Sequence, residues 1–170
     1  MKKQLYLSIP FLLFFIVSGF SQVKDKKELK EERRQEAERE VAELIDSRTY
    51  AFMAKTAMPL ALAPMALSPG GPGMVFSPDR IVCTLPFFGK VYDSEKTADD
   101  TGMIFSGAPV DYKVKKRKKS YEVSMEVTDE NDTYSISLSV NIEGVTTVTI
   151  SSVNRSDISY SGNLAIIKKD

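Results

Sequence analysis

The first segment with a clear pattern runs from Lys24 to Arg48, where most residues favour a helix and opposite charges recur at helical spacing. Before residue 37 the segment offers only Leu29 as a large apolar side chain. The other apolar residues form one late stripe, which consists of Ala37, Val41, Leu44 and Ile45. We therefore predict a charged N-terminal helix at 22–48, whose second half packs on the protein body and whose first half extends into solvent.

Residues 49–56 alternate between two faces, with Tyr50, Phe52 and Ala54 on one of them, and this period predicts a strand. The chain then becomes rich in residues that interrupt regular structure, namely Pro59, Pro64, Pro69, Pro72, Pro78, Gly70, Gly71 and Gly73. Proline cannot donate a backbone hydrogen bond, and glycine weakens helices and strands. We predict a mobile, irregular loop at 59–74.

Period-two alternation is clearest in the C-terminal half of the chain. Two predicted strands there place one set of apolar side chains on a common face, namely Tyr121, Val123, Met125, Val127, Tyr134, Ile136, Leu138 and Val140. The segment DEND at 129–132 lies between these strands and suits a four-residue hairpin loop. A calcium site is the alternative for this loop, but the glycine and the ligand spacing of an EF-hand are absent.

The next turn can be predicted from the register of the apolar faces. A two-residue turn at Glu143 and Gly144 would pair Leu138 with Thr149 and put the apolar faces out of step. A three-residue loop at 142–144, with Gly144 in the left-handed conformation, pairs Leu138 with Val148 instead. We predict the three-residue loop.

Further strands at 103–115 and 158–167 bring the expected total to about seven, in sequential hairpin order after one helix. No crossover of a dozen residues separates any pair, so the sheet must be antiparallel. We predict a mainly β (α+β) fold in which residues 49–170 form a single domain. Its sheet is expected to be strongly curved or barrel-like, because closure removes exposed edges.

The first 21 residues begin with two lysines after Met1, continue with an apolar stretch at 5–17, and end on small residues. This is the pattern of a secretory signal peptide, and the stretch is shorter than the roughly 20 residues of a spanning helix. We expect cleavage after Ser21 and a periplasmic or secreted protein. Residue 22 is Gln rather than Cys, so we expect no lipid anchor and no transmembrane segment in the mature chain.

The whole chain has 23 basic and 23 acidic side chains, and the mature chain would have 21 and 23, a net charge of −2. This balance gives no field that attracts nucleic acid. The chain has no His, which excludes Ser–His–Asp triads, Cys–His nucleophiles and ordinary His-ligated zinc or copper. No phosphate-binding loop or nucleophile elbow occurs, and adjacent acids such as Asp99 and Asp100 are usually solvated. We predict a protein that is not an enzyme and has no cofactor.

The sulfur-containing residues also favour a structural interpretation. Cys83 lies between apolar neighbours in RIVCTL, which predicts a small buried side chain rather than a reactive thiol. Thioether ligation of copper would need methionines at recurring spacing, and the spacing of Met53, Met58, Met65 and Met74 does not recur. We expect no metal site.

Three segments together resemble a known family: LPFFGKVY at 85–92, GMIFSGAPVDYKV at 102–114 and GVTTVTISSVNRSDISYSGNL at 144–164. They resemble the secreted Bacteroidetes-type proteins catalogued as domain of unknown function 4251. The similarity extends over roughly residues 50–167. No activity is attached to that family, so the resemblance implies export and a fold rather than a reaction.

Two groups of residues are candidates for binding. The first combines aromatic side chains near a bend with an arginine and a tyrosine beside a second turn: Phe87, Phe88, Tyr92, Arg155 and Tyr160. Such rings either anchor a strand end in the core or contact an apolar ligand or a sugar face. The arginine either binds backbone carbonyls or Asp157 to hold its turn, or binds an anion.

The second group is a basic run of Lys113, Lys115, Lys116, Arg117, Lys118 and Lys119. A solvated hairpin tip is the ordinary interpretation, and weak attachment to an anionic lipid or polysaccharide surface is the functional one. Nucleic acid is the poorer partner, because no aromatic residues interleave the run.

These observations leave two hypotheses for function. The first is a non-catalytic cell-envelope module that binds an apolar or amphiphilic ligand between sheet and helix through the LPFFG region. The second is a structural or protein-interaction module that contacts another envelope component through its charged helix and basic hairpin tip. The partner itself, whether lipid, glycan or envelope protein, remains open at this stage.

Overall fold

The computed structural model describes residues 26–71, 73–92, 102–130 and 132–167. The helix α1 spans Lys26–Ser47. Ten strands follow it: β1 (Tyr50–Pro59), β2 (Met65–Ala66), β3 (Gly73–Phe76), β4 (Ile81–Pro86), β5 (Gly102–Gly107), β6 (Pro109–Lys116), β7 (Ser120–Thr128), β8 (Thr133–Asn141), β9 (Val145–Ser152) and β10 (Ile158–Ala165). The signal peptide predicted at 1–21 lies outside the described residues.

Nine of the strands form an antiparallel sheet in the order β5-β4-β3-β1-β10-β9-β8-β7-β6, and β2 pairs with β1 beside β3. The sheet curls until Phe105 on the edge strand β5 stacks on Tyr134 of β8, with ring centroids 3.9 Å apart. The result is a nearly closed, barrel-like sheet. The predicted mainly β fold with one preceding helix is confirmed, with ten strands in place of about seven.

The strand predicted at 103–115 is in fact two strands on opposite edges of the sheet. β5 pairs with β4, and β6 pairs with β7, while only Ala108 separates them. Gly107 makes this passage possible, because a Cβ there would lie 2.5 Å from the carbonyl oxygen of Thr128. Pro109, with no backbone N–H, starts the new edge strand. The alternation in the sequence continues across the break, since both strands are extended.

The turn between β8 and β9 is the predicted three-residue loop. Leu138 pairs with Val148, Val140 pairs with Thr146, and Gly144 has a φ of 80°. The side-chain oxygen of Asn141 accepts hydrogen bonds from the backbone N–H groups of residues 143 and 145, both at 2.9 Å. The loop at 129–132 also closes its hairpin as predicted, because Thr128 pairs with Thr133.

The segment predicted as an irregular loop at 59–74 contains regular structure. Pro59 ends β1, Met65 and Ala66 form β2, and Gly73 begins β3. Proline and glycine are tolerated here because they lie at strand ends or between short strands. A register shift between Ala54 and Thr56 also changes which residues of β1 face the core.

The helix packs on the barrel through its second half, as predicted. Val41 and Ile45 are buried, whereas every residue from 26 to 36 is exposed. The hydroxyl of Tyr112 donates to the carbonyl oxygen of Ile45 over 3.3 Å, and the guanidinium of Arg48 lies 4.5 Å from the centre of the Tyr112 ring. These contacts attach the end of α1 to β6. No helix among the described residues is long and apolar enough to cross a membrane.

The barrel interior is filled by the protein's own side chains. The largest fully buried ones are Tyr50, Tyr160, Phe52, Phe76, Ile45, Met74, Ile81, Leu85, Met103, Ile136, Leu138 and Ile150. Cys83 is also fully buried, as predicted, and burial raises the pKa of its thiol to about 12. A thiol in this state stays protonated and unreactive at neutral pH.

Candidate ligand-binding cleft

The segment at 87–92, which follows β4, is held by hydrogen bonds to residues 154–156. The N–H of Tyr92 donates to the carbonyl of Asn154 over 2.8 Å. Ser156 bonds Lys90 twice: its N–H donates to the Lys90 carbonyl over 2.9 Å, and its Oγ accepts from the Lys90 N–H over 3.0 Å. The two segments therefore form a short antiparallel pair outside the main sheet.

The ring of Phe87 points away from solvent, toward Arg155. Phe87 is 6% exposed and Arg155 only 4%. The guanidinium carbon of Arg155 lies 5.2 Å from the centre of the Phe87 ring, and its Nη1 donates to the carbonyl of Gly102 over 2.9 Å. Arg155 thus joins the segment at 87–92 to the start of β5, by a cation–π contact and a charge-assisted hydrogen bond.

Tyr160 supports the same region from within the core. Its ring is fully buried, and its hydroxyl donates to the carbonyl of Pro86 over 2.8 Å. Burial raises the pKa of Tyr160 above its ordinary value, with the nearby Cys83 contributing in the same direction and Arg155 opposing it. The phenol therefore stays protonated and acts as a hydrogen-bond donor.

Gly89 allows the bend that follows Phe87. A Cβ at position 89 would overlap the Phe87 ring and the Oγ of Ser156. Any larger residue would displace one of these two groups. The absence of a side chain at Gly89 therefore lets the backbone approach Ser156 and the Phe87 ring. Phe88 beside it is partly buried.

The outward side of this segment faces the residues that follow β1, and a cleft of about 330 Å³ lies between them. We call it the Phe88 cleft. Its lining residues are Leu60, Ala61, Leu62, Phe88, Gly89, Lys90, Tyr92 and Ser156. Three apolar side chains around it are exposed, with Leu60 at 83%, Tyr92 at 63% and Leu62 at 59%. Among the described residues that line the cleft, Lys90 is the one with a charged side chain.

The structure divides the five predicted ligand-binding residues into two sets. Phe88 and Tyr92 line the Phe88 cleft, whereas Phe87, Arg155 and Tyr160 lie buried behind it. The residues that sequence reasoning missed are Leu60, Ala61, Leu62, Lys90 and Ser156. One signal pointed to part of this set, since LAL at 60–62 is an apolar run inside a proline-rich segment without an obvious core position.

The location of the cleft differs from the expected one between sheet and helix. The cleft lies beyond Pro59, the last residue of β1, whereas α1 packs near Tyr50, the first. A strand of ten residues is about 30 Å long, so the two features are well separated. Val41 and Ile45 are buried where the helix meets the barrel.

The predicted basic run lies at the end of β6 and in the turn to β7. Arg117 forms a bidentate pair with Glu122 at 2.9 and 3.0 Å, and this hydrogen bonding lowers the pKa of the Glu122 carboxyl. Lys113 lies 3.6 Å from Asp111, and the Lys116 ammonium lies 5.4 Å from the ring centre of Tyr121. Lys115 lies opposite Glu122 in the pairing of β6 with β7. Within the described residues, Lys118 and Lys119 are the two lysines of this run without such a partner.

The acidic residues were also candidates for a metal site. No group of three or more His, Cys, Asp or Glu residues there is placed to hold a metal ion. The adjacent carboxylates Asp99 and Asp100 lie outside the described residues.

Residues 32–164 match the family described as Domain of unknown function (DUF4251). The chain belongs to the DUF4251 family. The resemblance carried by LPFFGKVY and the other two segments is therefore confirmed. No curated protein matches the chain.

A solved structure of the DUF4251 family has a similar fold. It is the crystal structure of a DUF4251 family protein from Bacteroides eggerthii DSM 20697 at 1.95 Å resolution. The TM-score is 0.62 at 16% sequence identity, over 76% of this chain and 87% of the other. At this identity the likeness concerns the fold alone.

Proposed function

We propose that this DUF4251 protein is an exported, non-catalytic module of the cell envelope that binds an apolar or amphiphilic ligand in the Phe88 cleft. The observation that carries the proposal is the cleft itself. Its volume of about 330 Å³ is within the range of small-molecule sites, which begins at about 300 Å³. Its walls come from three separate parts of the chain, so the concavity is a product of the fold and not of one loop.

The exposed apolar side chains around the cleft support the same function. Leu60, Leu62 and Tyr92 each leave more than half of their surface in water. Covering apolar surface contributes about 25 cal/mol per Å², so a ligand with an apolar part would bind here favourably. The barrel interior, in contrast, is filled by side chains, which favours binding at the rim over binding inside the barrel.

Phe87, Arg155 and Tyr160 have a supporting role in this proposal. They hold the segment at 87–92 against the barrel through the Arg155–Gly102 and Tyr160–Pro86 hydrogen bonds. Phe88 and Tyr92 then contact the ligand. A site whose contact residues are supported from behind needs little reorganisation on binding.

The test is native mass spectrometry of the mature protein purified from its own envelope fraction, followed by solvent extraction and mass analysis of any released molecule. We expect a stoichiometric small molecule on the wild-type protein. The double variant Leu62→Ser/Tyr92→Ser should lose it, whereas Val110→Ser, which changes another exposed apolar residue outside the cleft, should retain it. A bare wild-type protein, or a ligand retained by the double variant, would overturn the proposal.

Export is the part of this function that the N-terminal sequence supports. We propose removal of residues 1–21 and release of the mature chain, without a lipid anchor, to the periplasm or the medium. N-terminal sequencing of the protein from fractionated cells should give Gln22 as the first residue. An uncleaved chain in the cytoplasmic fraction would contradict export.

We propose as a second candidate that the protein is an interaction module. Two observations favour it: residues 26–36 of α1 are exposed on all sides, and Lys118 and Lys119 have no carboxylate partner among the described residues. Together they offer a charged projection for another envelope component or an anionic surface.

Retention on anionic vesicles tests the basic part of this second candidate. Replacing all six basic residues of the run at 113–119 with Ser should abolish retention. Glu122→Gln should increase it, because this change releases the Arg117 guanidinium. Retention that neither change alters would count against the second candidate.

A further inference from the structure

We propose that the ligand of the Phe88 cleft is an anionic amphiphile whose headgroup is bound by Lys90. This inference rests on the proposed function and adds the charge of the ligand to it. Seven of the eight lining residues that the structure describes are uncharged, and Lys90 adds one positive charge to this mostly apolar set. A ligand that is apolar at one end and anionic at the other complements both features.

The backbone of Lys90 is held at both of its polar groups. Its N–H donates to the Oγ of Ser156, and its carbonyl accepts the N–H of the same residue. Since both backbone groups are bonded, the side chain starts from a defined point at the rim of the cleft. Ordering the backbone in advance reduces the entropy lost on binding.

No carboxylate of the described residues forms an ion pair with the Lys90 ammonium. Two members of the basic run differ from Lys90 in this respect, because Arg117 and Lys113 both have acidic partners. An unpaired ammonium beside apolar side chains attracts an anion more strongly than one that is already neutralised. Within the described residues, no carboxylate therefore competes with a headgroup for Lys90.

Ser156 adds a second polar group for the headgroup. Its Oγ accepts the Lys90 N–H, and a hydroxyl can also donate one hydrogen bond. A carboxylate or sulfate oxygen would accept this hydrogen bond, and the negative charge of the headgroup would face the lysine. A cationic headgroup would be repelled by Lys90. It could not accept a hydrogen bond from the Ser156 hydroxyl.

The apolar part of the ligand would lie against Leu60, Leu62 and Phe88. Tyr92, exposed at the rim, suits the boundary between the two parts, because it has an apolar ring and a polar hydroxyl. The ends of the ligand are thus assigned to different lining residues. We therefore expect that substitution of Lys90 removes the attraction for the headgroup, and that substitution of Leu62 removes contact with the apolar part, each without the other.

Three amphiphiles with the same twelve-carbon chain provide the test: dodecanoate, dodecyl maltoside and dodecyltrimethylammonium, each below its micelle concentration. Isothermal titration calorimetry on the mature protein should give the tightest binding for dodecanoate and the weakest for the cation. In Lys90→Gln, dodecanoate should bind about two- to five-fold more weakly, the range for one exposed ion pair. Maltoside binding should not change.

Lys90→Glu should weaken dodecanoate binding by roughly tenfold, because attraction is replaced by repulsion, and should strengthen binding of the cation. Lys118→Gln removes an exposed lysine of the β6–β7 turn and is the matched control, with no expected change. Dodecanoate binding should also weaken as salt is raised from 0.05 to 0.5 M in the wild type but not in Lys90→Gln.

The outcomes separate this inference from the proposed function. If all three amphiphiles bind equally and Leu62→Ser/Tyr92→Ser abolishes binding, the cleft binds amphiphiles but the anionic selectivity is wrong. If Lys90→Gln and Lys118→Gln have equal effects, the role of Lys90 is wrong. If no amphiphile binds the wild type and the envelope-purified protein is bare, both the inference and the proposed function are overturned.

Discussion

The hydroxyl of Tyr160, on β10, donates a hydrogen bond to the carbonyl oxygen of Pro86, at the end of β4, over 2.8 Å. The two residues are 74 positions apart in the chain. Their strands are separated in the sheet by β1 and β3, so the bond crosses the barrel interior. It attaches the base of the segment at 87–92 to the strand that lies beside β1.

Replacing Tyr160 with Phe should destabilise the protein without changing its shape. The change removes the donor and leaves the Pro86 carbonyl without this partner, which typically costs about 1–3 kcal/mol. Urea unfolding should show this loss in the free energy of unfolding. Tyr92→Phe is the control, since its exposed hydroxyl should contribute less than about 0.5 kcal/mol. Equal stability of the two variants would contradict the structural role of Tyr160.

Stability should fall in alkaline solution. Burial is the main cause that raises the pKa of Tyr50 and Tyr160 above 10, and burial raises that of Cys83 from 9 to about 12. These groups hold their protons more tightly in the folded chain than in the unfolded one. Below about pH 9 these groups contribute their full amount to the free energy of unfolding. The contribution of the thiol decreases as the pH rises above 9, and that of the phenols decreases as it rises above 10.

Urea unfolding measured from pH 8 to pH 11.5 tests this dependence. The free energy of unfolding should be level near pH 8 and should decrease at higher pH. In Cys83→Ala the decrease should begin nearer pH 10, because only the phenols remain. A wild-type stability that stays constant up to pH 11 would show that these side chains are not buried as described.

The stacking of Phe105 on Tyr134 should contribute to closure of the barrel. The rings are 3.9 Å apart between centroids and 11° from parallel, and they belong to β5 and β8, which are not neighbours in the sheet. A double-mutant cycle with Phe105→Leu and Tyr134→Leu should give a coupling energy of about 0.5–1.5 kcal/mol. A coupling within error of zero would mean that the two sides of the barrel are not in contact in solution.

Gly162 should not tolerate a methyl group. A Cβ there would overlap the carbonyl oxygen of Met53 and lie 2.9 Å from the Phe52 ring, where β10 pairs closely with β1. Gly162→Ala should reduce the free energy of unfolding by roughly 1–3 kcal/mol, as overpacked cores do. The neighbouring Ser161→Ala is the matched control and should change it by less than about 0.5 kcal/mol. Thermal or urea unfolding of both variants distinguishes them.

Much of the fold could be predicted because β-sheet geometry is local and repetitive. The apolar face of β7 and β8, from Tyr121 to Val140, is the one that the structure buries. The loop at 142–144 followed from the same alternation, since the alternative two-residue turn would have put apolar residues of one strand opposite polar residues of the next. Helix packing through Val41 and Ile45 followed from their spacing.

The break between β5 and β6 could not be predicted in this way. The alternation of apolar and polar residues indicates which residues of a strand lie on the same face. It does not indicate which other strand pairs with that strand. The single strand predicted at 103–115 includes Gly107 and Pro109, and at these residues the chain passes from one edge of the sheet to the other. The curvature of the whole barrel decides that step.

By itself, the sequence determined the antiparallel β class, the buried faces of the strands and the hairpin at Gly144, because these depend on residues close together in the chain. Only the tertiary structure decided that Phe87 is buried while Phe88 faces a cleft, and that Leu62 and Ser156 line it with Lys90. The physical reason is distance along the chain. The cleft brings together residues 60–62, 88–92 and 156 only once the sheet is curved into a barrel. No local sequence pattern indicates that these segments are in contact.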